Sequence, residues 1–77
     1  MHYVYLIRTS YPRKIYYTGY TNNLKRRLRE HKERNPELIY YEAYRNEKDA
    51  RSREKKLKQR GQTIRRLKER LKHSLEA

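Results

Sequence analysis

Five polar side chains stand where the hydrophobic pattern of the chain calls for apolar ones: Tyr5, Tyr17, Arg27, His31 and Glu54. Phenols and an imidazole can hold or move protons, a guanidinium can neutralise growing anionic charge, and a carboxylate can ligate a hard cation. Phosphodiester hydrolysis makes these demands: an activated water, neutralised charge on a pentacovalent phosphorus, and help for the departing oxygen. Each residue also has a plainer explanation. Tyrosines must supply most aromatic packing in a chain without Phe or Trp. His31 can be a core imidazole bonded to backbone, and Glu54 can pair with a neighbouring Lys or Arg. What separates the two explanations is whether the elements that carry these residues bring them together.

Those elements can be read in order. Tyr3, Val4, Tyr5, Leu6 and Ile7 are apolar or aromatic at both parities, which predicts a central strand covered on both faces. Ser10 to Arg13 is turn material with Pro12 inside it, and Lys14 to Thr18 is the hairpin partner. If Thr9 pairs with Arg13, Tyr5 lies opposite Tyr17 and both side chains leave one face. Gly19 then ends the strand, where a close approach is expected. Thr21 or Asn22 caps a helix over Asn23 to Arg34 that Pro36 stops. Its apolar stripe is Leu24 and Leu28, with Arg27 and His31 on or beside it. Glu37 to Tyr44 is a third strand. Asn46 caps a second helix running to about Arg60, with Asp49 at the capping-box position and Gly61 as its stop. Ala50 and Leu57 mark that helix's stripe, with Glu54 between them. Thr63 caps a last, basic helix with Ile64, Leu67, Leu71 and Leu75 at heptad-like spacing.

The 77 residues allow one domain, 1–77. Chains of this size bury only about 60% of the surface they expose when unfolded. The charge is the loudest signal: 22 Lys and Arg against 9 Asp and Glu give +13. Such a balance points to a polyanionic partner, nucleic acid before an anionic membrane surface or a ribosomal or chaperone-like role. The absence of cysteine fits a reducing compartment, and the cytoplasm is the expected one. The longest apolar run, Val4 to Ile7, is far too short to span a bilayer, and no signal-peptide pattern opens the chain.

The order strand, strand, helix, strand, helix, helix, with these polar residues on inward faces, resembles the GIY-YIG nuclease superfamily. The likeness is to its small stand-alone members and to the N-terminal nuclease domain of the excinuclease C subunit. Tyr3, Val4 and Tyr5 stand at the first motif and Tyr17, Thr18 and Gly19 at the second. Asn23 to His31 matches the helix with the family's arginine, and Arg53 to Lys58 the segment with its metal-binding glutamate. The chain departs from the pattern at Tyr3, where the family has glycine, and at Val4 and Thr18, where it has isoleucines. It also has no asparagine after Asn46 to match the late asparagine of many family nucleases.

The resemblance implies an α+β fold, a three-stranded antiparallel sheet flanked by three helices, and a divalent-metal-dependent endonuclease acting on nucleic acid, with DNA favoured over RNA as its substrate. On that reading Glu54 holds one Mg²⁺ or Mn²⁺, since magnesium takes only one or two protein carboxylates. Arg27 meets the non-bridging oxygens with its planar fork. Tyr17, supported by Tyr5, orients or deprotonates the water, and His31 is the rival base because histidine's ordinary pKa is about 6.5. Lys25, Arg26, Arg29, Lys32, Lys55 and Lys58 would track phosphates. No sequence-reading module is evident, so low sequence specificity or a protein partner supplying it is expected. The missing asparagine motivates the alternative of a binding module that no longer cleaves. A third alternative is an interaction protein that works through its last helix.

Overall fold

Strands β1 (His2–Thr9), β2 (Ile15–Thr21) and β3 (Glu37–Tyr44) form one antiparallel sheet in the order β2-β1-β3. The computed structural model describes residues 1–59 and 61–76, with backbone alone at 59 and 61–64. As the double-parity pattern requires, β1 is central, and Val4, Tyr5, Leu6 and Ile7 are all buried. Helices α1 (Leu24–Glu30), α2 (Glu47–Gln59), α3 (Gly61–Arg70) and α4 (Lys72–Glu76) complete an α+β fold. The chain order is β-β-α-β followed by helices, as expected. The last helical stretch is broken at Leu71 into α3 and α4.

The hydrophobic core joins one sheet face to α2 and α3. Val4, Ala50, Leu57 and Leu67 are its buried members, and Tyr20, Tyr40, Tyr44 and Leu71 pack against them. Each such Val or Leu contributes about 1.5–3 kcal/mol by leaving water. The expected stripe on α2 therefore holds at Ala50 and Leu57. Behind it sits a polar cluster that the sequence reading did not anticipate. The Glu42 carboxylate accepts from Arg53 Nε at 3.0 Å, Tyr40 Oη at 2.8 Å and Tyr44 Oη at 2.5 Å. Burial alone would raise the Glu42 pKa, but hydrogen bonds from Arg53, Tyr44 and Tyr40 outweigh it and hold the group below its ordinary value. The cluster bolts α2 to β3 one residue before Glu54.

Several boundaries differ from expectation. Thr9 pairs with Ile15, not Arg13, so Tyr5 faces Gly19 and not Tyr17. The connection is longer because a distant element holds it. The Ser10 and Tyr11 N–H groups donate to the Arg34 carbonyl at 3.0 and 3.2 Å, and Asn35 Nδ2 donates to Ser10 Oγ at 2.8 Å. A slip of two residues preserves every side chain's face, so Tyr5 and Tyr17 remain on one face as diagonal neighbours. Gly19 lies within β2, which continues to Thr21.

The N-cap of α1 is Asn23, whose Oδ1 accepts from the Arg26 N–H at 3.0 Å. Thr21 braces the turn before it: its Oγ1 accepts from the Asn23 N–H at 3.1 Å. Helix α1 stops at Glu30, His31 is its C-cap, and a 3-10 turn (Lys32–Arg34) leads to Asn35 in the left-handed region at φ 52°. That reversal ends the helical run ahead of Pro36. Asn46 caps α2 as expected, accepting from the Lys48 N–H at 2.8 Å. Helix α3 already begins at Gly61, so neither the Gly61 stop nor the Thr63 cap holds. The expected α2 end at Arg60 and the Ile64 side chain of the last stripe lie outside the described residues.

Candidate functional site

Gly19 is where the site begins. A Cβ built there would meet the Tyr5 phenol, lying 2.7 Å from Cζ and 3.2 Å from Cε2 and closer still to the hydroxyl. No positive φ occurs at this glycine. Its value is the missing side chain, which lets the Tyr5 ring cross the edge strand β2. The hydroxyl is thereby delivered to the field of Arg27, Glu54 and Glu30. Burial is the largest influence on Tyr5 and raises its pKa. Arg27 opposes that rise, while Glu54 and Glu30 add to it. The phenol is therefore held protonated, a hydrogen-bond donor and not a base at neutral pH.

Arg27 and Glu54 line one cleft of about 380 Å³ beside Tyr20, Thr21, Asn22 and Arg51. Arg27 comes from α1 and Glu54 from α2, so the cleft joins two elements distant in sequence. Arg27 Nη1 donates to Glu30 Oε2 at 3.0 Å and Nη2 to the Tyr20 carbonyl at 3.4 Å. Its Nε is buried with no hydrogen-bond partner among the described residues. An unpaired buried donor costs about 1–3 kcal/mol, a cost borne at this position. Glu54 is held to Lys58 Nζ at 3.3 Å, and its side chain is 20% exposed. The i, i+4 spacing makes this the pairing that local sequence would supply anyway.

Tyr17 and His31 form a second group. Their rings stack with centroids 5.8 Å apart, and Arg34 Nη1 donates to the Tyr17 hydroxyl at 2.9 Å. Tyr17 shares the Tyr5 face, and His31 follows Arg27 by one helical turn, so the two groups adjoin. Of the expected site residues, Arg27 and Glu54 share one cleft within electrostatic reach of the Tyr5 phenol, and Tyr17 and His31 form a separate stacked pair. Lys25, Arg26, Arg29, Lys32, Lys55 and Lys58 are all exposed. Two of them are engaged within the protein: Arg26 with Asn22 and Glu30, and Lys58 with Glu54.

The sequence reading missed the partners. Arg34 lies at i+3 from His31 and Glu30 at i+3 from Arg27, so helical spacing could have found both. Tyr20 stands on the opposite sheet face from Tyr5, where its hydroxyl bonds His2 Nδ1 at 2.7 Å and Glu47 Oε1 at 3.1 Å. The Arg51 guanidinium covers the Tyr20 ring at 4.3 Å and pairs with Glu47 at 3.5 Å. Alternation along β2 would have placed Tyr20, but nothing local signals its partners on α2.

Among the described residues no three His, Cys, Asp or Glu side chains gather as a metal-binding group. Glu54 is the carboxylate beside Arg27 and Tyr5, partly exposed to the cleft. That donor set fits a hard divalent ion held by one carboxylate and otherwise by water and phosphate oxygens. Among the same residues no helix is long and apolar enough to cross a membrane.

Comparison with known proteins bears on the same elements. No curated protein and no solved structure matches the chain. The family description that matches is the GIY-YIG catalytic domain, over residues 1–37. That span holds both tyrosines, Gly19, Arg27 and His31; Glu54 lies beyond it. Together with the β2-β1-β3 sheet, the match supports membership of the chain in the GIY-YIG superfamily, a family of nucleases.

Proposed function

We propose that the chain is a metal-dependent endonuclease that hydrolyses phosphodiester bonds in DNA with low intrinsic sequence specificity. The observation that carries this reading is the cleft lined by both Arg27 and Glu54, with the buried Tyr5 phenol within the electrostatic reach of the two. Arg27, which lines the cleft with its guanidinium partly exposed, meets the non-bridging oxygens, where negative charge grows in the transition state. Tyr5, protonated and fixed by its passage over Gly19, donates a hydrogen bond toward the same phosphate. The Tyr17–His31 stack, anchored by Arg34, receives the proton of the attacking water. Glu54 would hold a Mg²⁺ or Mn²⁺ ion. When bound, that ion supplies Lewis-acid charge and a more acidic water. Lys25, Arg29, Lys32 and Lys55 are exposed cations placed to meet the flanking backbone.

The test is cleavage of supercoiled and branched DNA with Mg²⁺ or Mn²⁺. Arg27→Ala and Glu54→Ala are expected to lose at least about 100-fold in rate, as for removal of one transition-state donor. Equal cutting by all three proteins would refute the reading. One observation favours a second reading, a binding module without turnover: Lys58 already neutralises Glu54 at 3.3 Å. That reading predicts steeply salt-dependent binding, no cleavage with any metal, and no loss of affinity on Glu54→Ala.

A further inference from the structure

The far end of β2 borders a second, larger groove, of about 710 Å³, closed by α3 and α4. Four cations line it, Lys14, Arg65, Lys68 and Lys72, against two carboxylates, Glu69 and Glu76. Its floor includes Tyr16, whose ring lies 4.2 Å from Lys68 Nζ, and the apolar side chain of Leu75. Lys14, Arg65 and Lys72 are exposed. Among the described residues none of the four cations stands in an ion pair. The cleft differs in this respect, because Arg27 is paired with Glu30 and Arg51 with Glu47. A phosphate entering the groove displaces only counterions, whereas one entering the cleft competes with fixed carboxylates.

We infer that this groove is a second nucleic-acid contact, which grips the phosphate backbone of the same duplex at a distance from the cleft. The inference rests on nucleic acid being the partner of the cleft. Tyr16 in the groove and Tyr20 in the cleft share one face of β2, and at about 3.3 Å per residue they stand about 13 Å apart. Along one strand of a duplex, at about 3.4 Å per nucleotide, that is about four nucleotide steps. One duplex lying along the β2 edge therefore reaches both. The groove's elements lie outside the family match at residues 1–37, apart from β2 and Lys14. The C-terminal helices thus have a role in affinity that the family's catalytic residues do not supply.

The experiment is fluorescence anisotropy of a 20-base-pair DNA duplex across a salt series with three versions of the full chain. These are wild type, Lys14→Ala/Arg65→Ala/Lys72→Ala, and a control of equal charge, Arg45→Ala/Lys48→Ala/Lys56→Ala, whose exposed cations line neither cavity. All substituted residues are exposed, and thermal melting checks that the three proteins fold alike. The slope of log affinity against log salt is expected to shrink by about 2–3 in the groove variant, at about 0.9 per lost phosphate contact. The control is expected to keep its slope. Equal slopes for the two variants would overturn the inference, since net charge alone would then explain the binding. It would equally be overturned if the groove variant lost binding to phosphatidylserine vesicles while keeping the duplex slope. Cleavage by the wild type, scored in parallel, separates this outcome from the nuclease reading: cutting with equal slopes sinks only the groove, and a shifted slope without cutting sinks only the nuclease.

Discussion

Gly19→Ala is the substitution in which the packing leaves least latitude. At a strand position without positive φ, alanine ordinarily stabilises by about 0.4–1 kcal/mol through the unfolded chain. Here the new Cβ would lie 2.7 Å from Tyr5 Cζ and 3.2 Å from Cε2. The Tyr5 ring is the rigid side chain of a buried residue on the central strand, so it cannot swing clear as a surface chain would. Overpacking of this kind costs about 1–3 kcal/mol, which outweighs the unfolded-state gain and leaves a net loss of about 1–2 kcal/mol. For a domain of this size each kcal/mol lowers Tm by about 4–8 °C. Urea or thermal unfolding reads the loss directly. Tyr5→Phe removes the atom nearest the new Cβ, so in that background Gly19→Ala is expected to cost at least about 0.5 kcal/mol less. A neutral or stabilising Gly19→Ala, or the same cost in both backgrounds, would refute the claim that the glycine exists to pass the phenol across β2.

Other expectations concern the supports of the site. Because the folded pKa of Glu42 lies below its ordinary 4.5, the unfolded chain takes up the proton first on acidification. Its contribution is present above that value and is lost as pH falls through the lowered one; Glu42→Gln should flatten this part of an acid unfolding curve. The same variant is expected to cost about 2–3 kcal/mol, less than the 3–5 of a fully buried pair because the Arg53 side chain is 27% exposed. Burial first and then the Glu42 carboxylate push Tyr44 up to about 12 from 10.0, so its contribution is present below pH 10 and is lost as pH rises toward 12. Ultraviolet titration should show a late phenol that titrates earlier in Glu42→Gln but stays above the ordinary value, because burial remains. Asn23→Ala removes the α1 cap at a cost of about 1 kcal/mol. Since α1 has no buried residue, the loss should appear as faster amide exchange in Leu24–Glu30 before any global effect.

Strand β3 and the stripe of α2 were legible because their signals are local. A β-rich run between Pro36 and Asn46 bounds the strand, and Ala50 and Leu57 repeat at helical spacing. The cleft shared by Arg27 and Glu54 was legible through the misplaced polar residues and the family resemblance. The hairpin register was not, because its length is fixed by the carbonyl of Arg34, a residue two elements away. Nor was the Arg34–Tyr17 bond, which joins the end of the 3-10 turn to β2. Tyr40, Glu42 and Tyr44 alternate along β3 and so had to share a face. What made that face polar inside was Arg53, whose docking depends on how α2 turns. Long side chains on separate elements find one another through packing, and a linear pattern records only which face each one leaves.

Manganese line broadening asks most directly whether the cleft is a working metal-assisted site. In an amide spectrum of the full chain, substoichiometric Mn²⁺ is expected to broaden Gly19, Tyr20, Arg27 and Glu54 and to spare the α3–α4 groove. Glu54→Ala is expected to abolish the effect while leaving the rest of the spectrum in place. Broadening that persists in Glu54→Ala, or that centres on residues away from Tyr5 and Arg27, would show that the phenol, guanidinium and carboxylate meet there for packing alone.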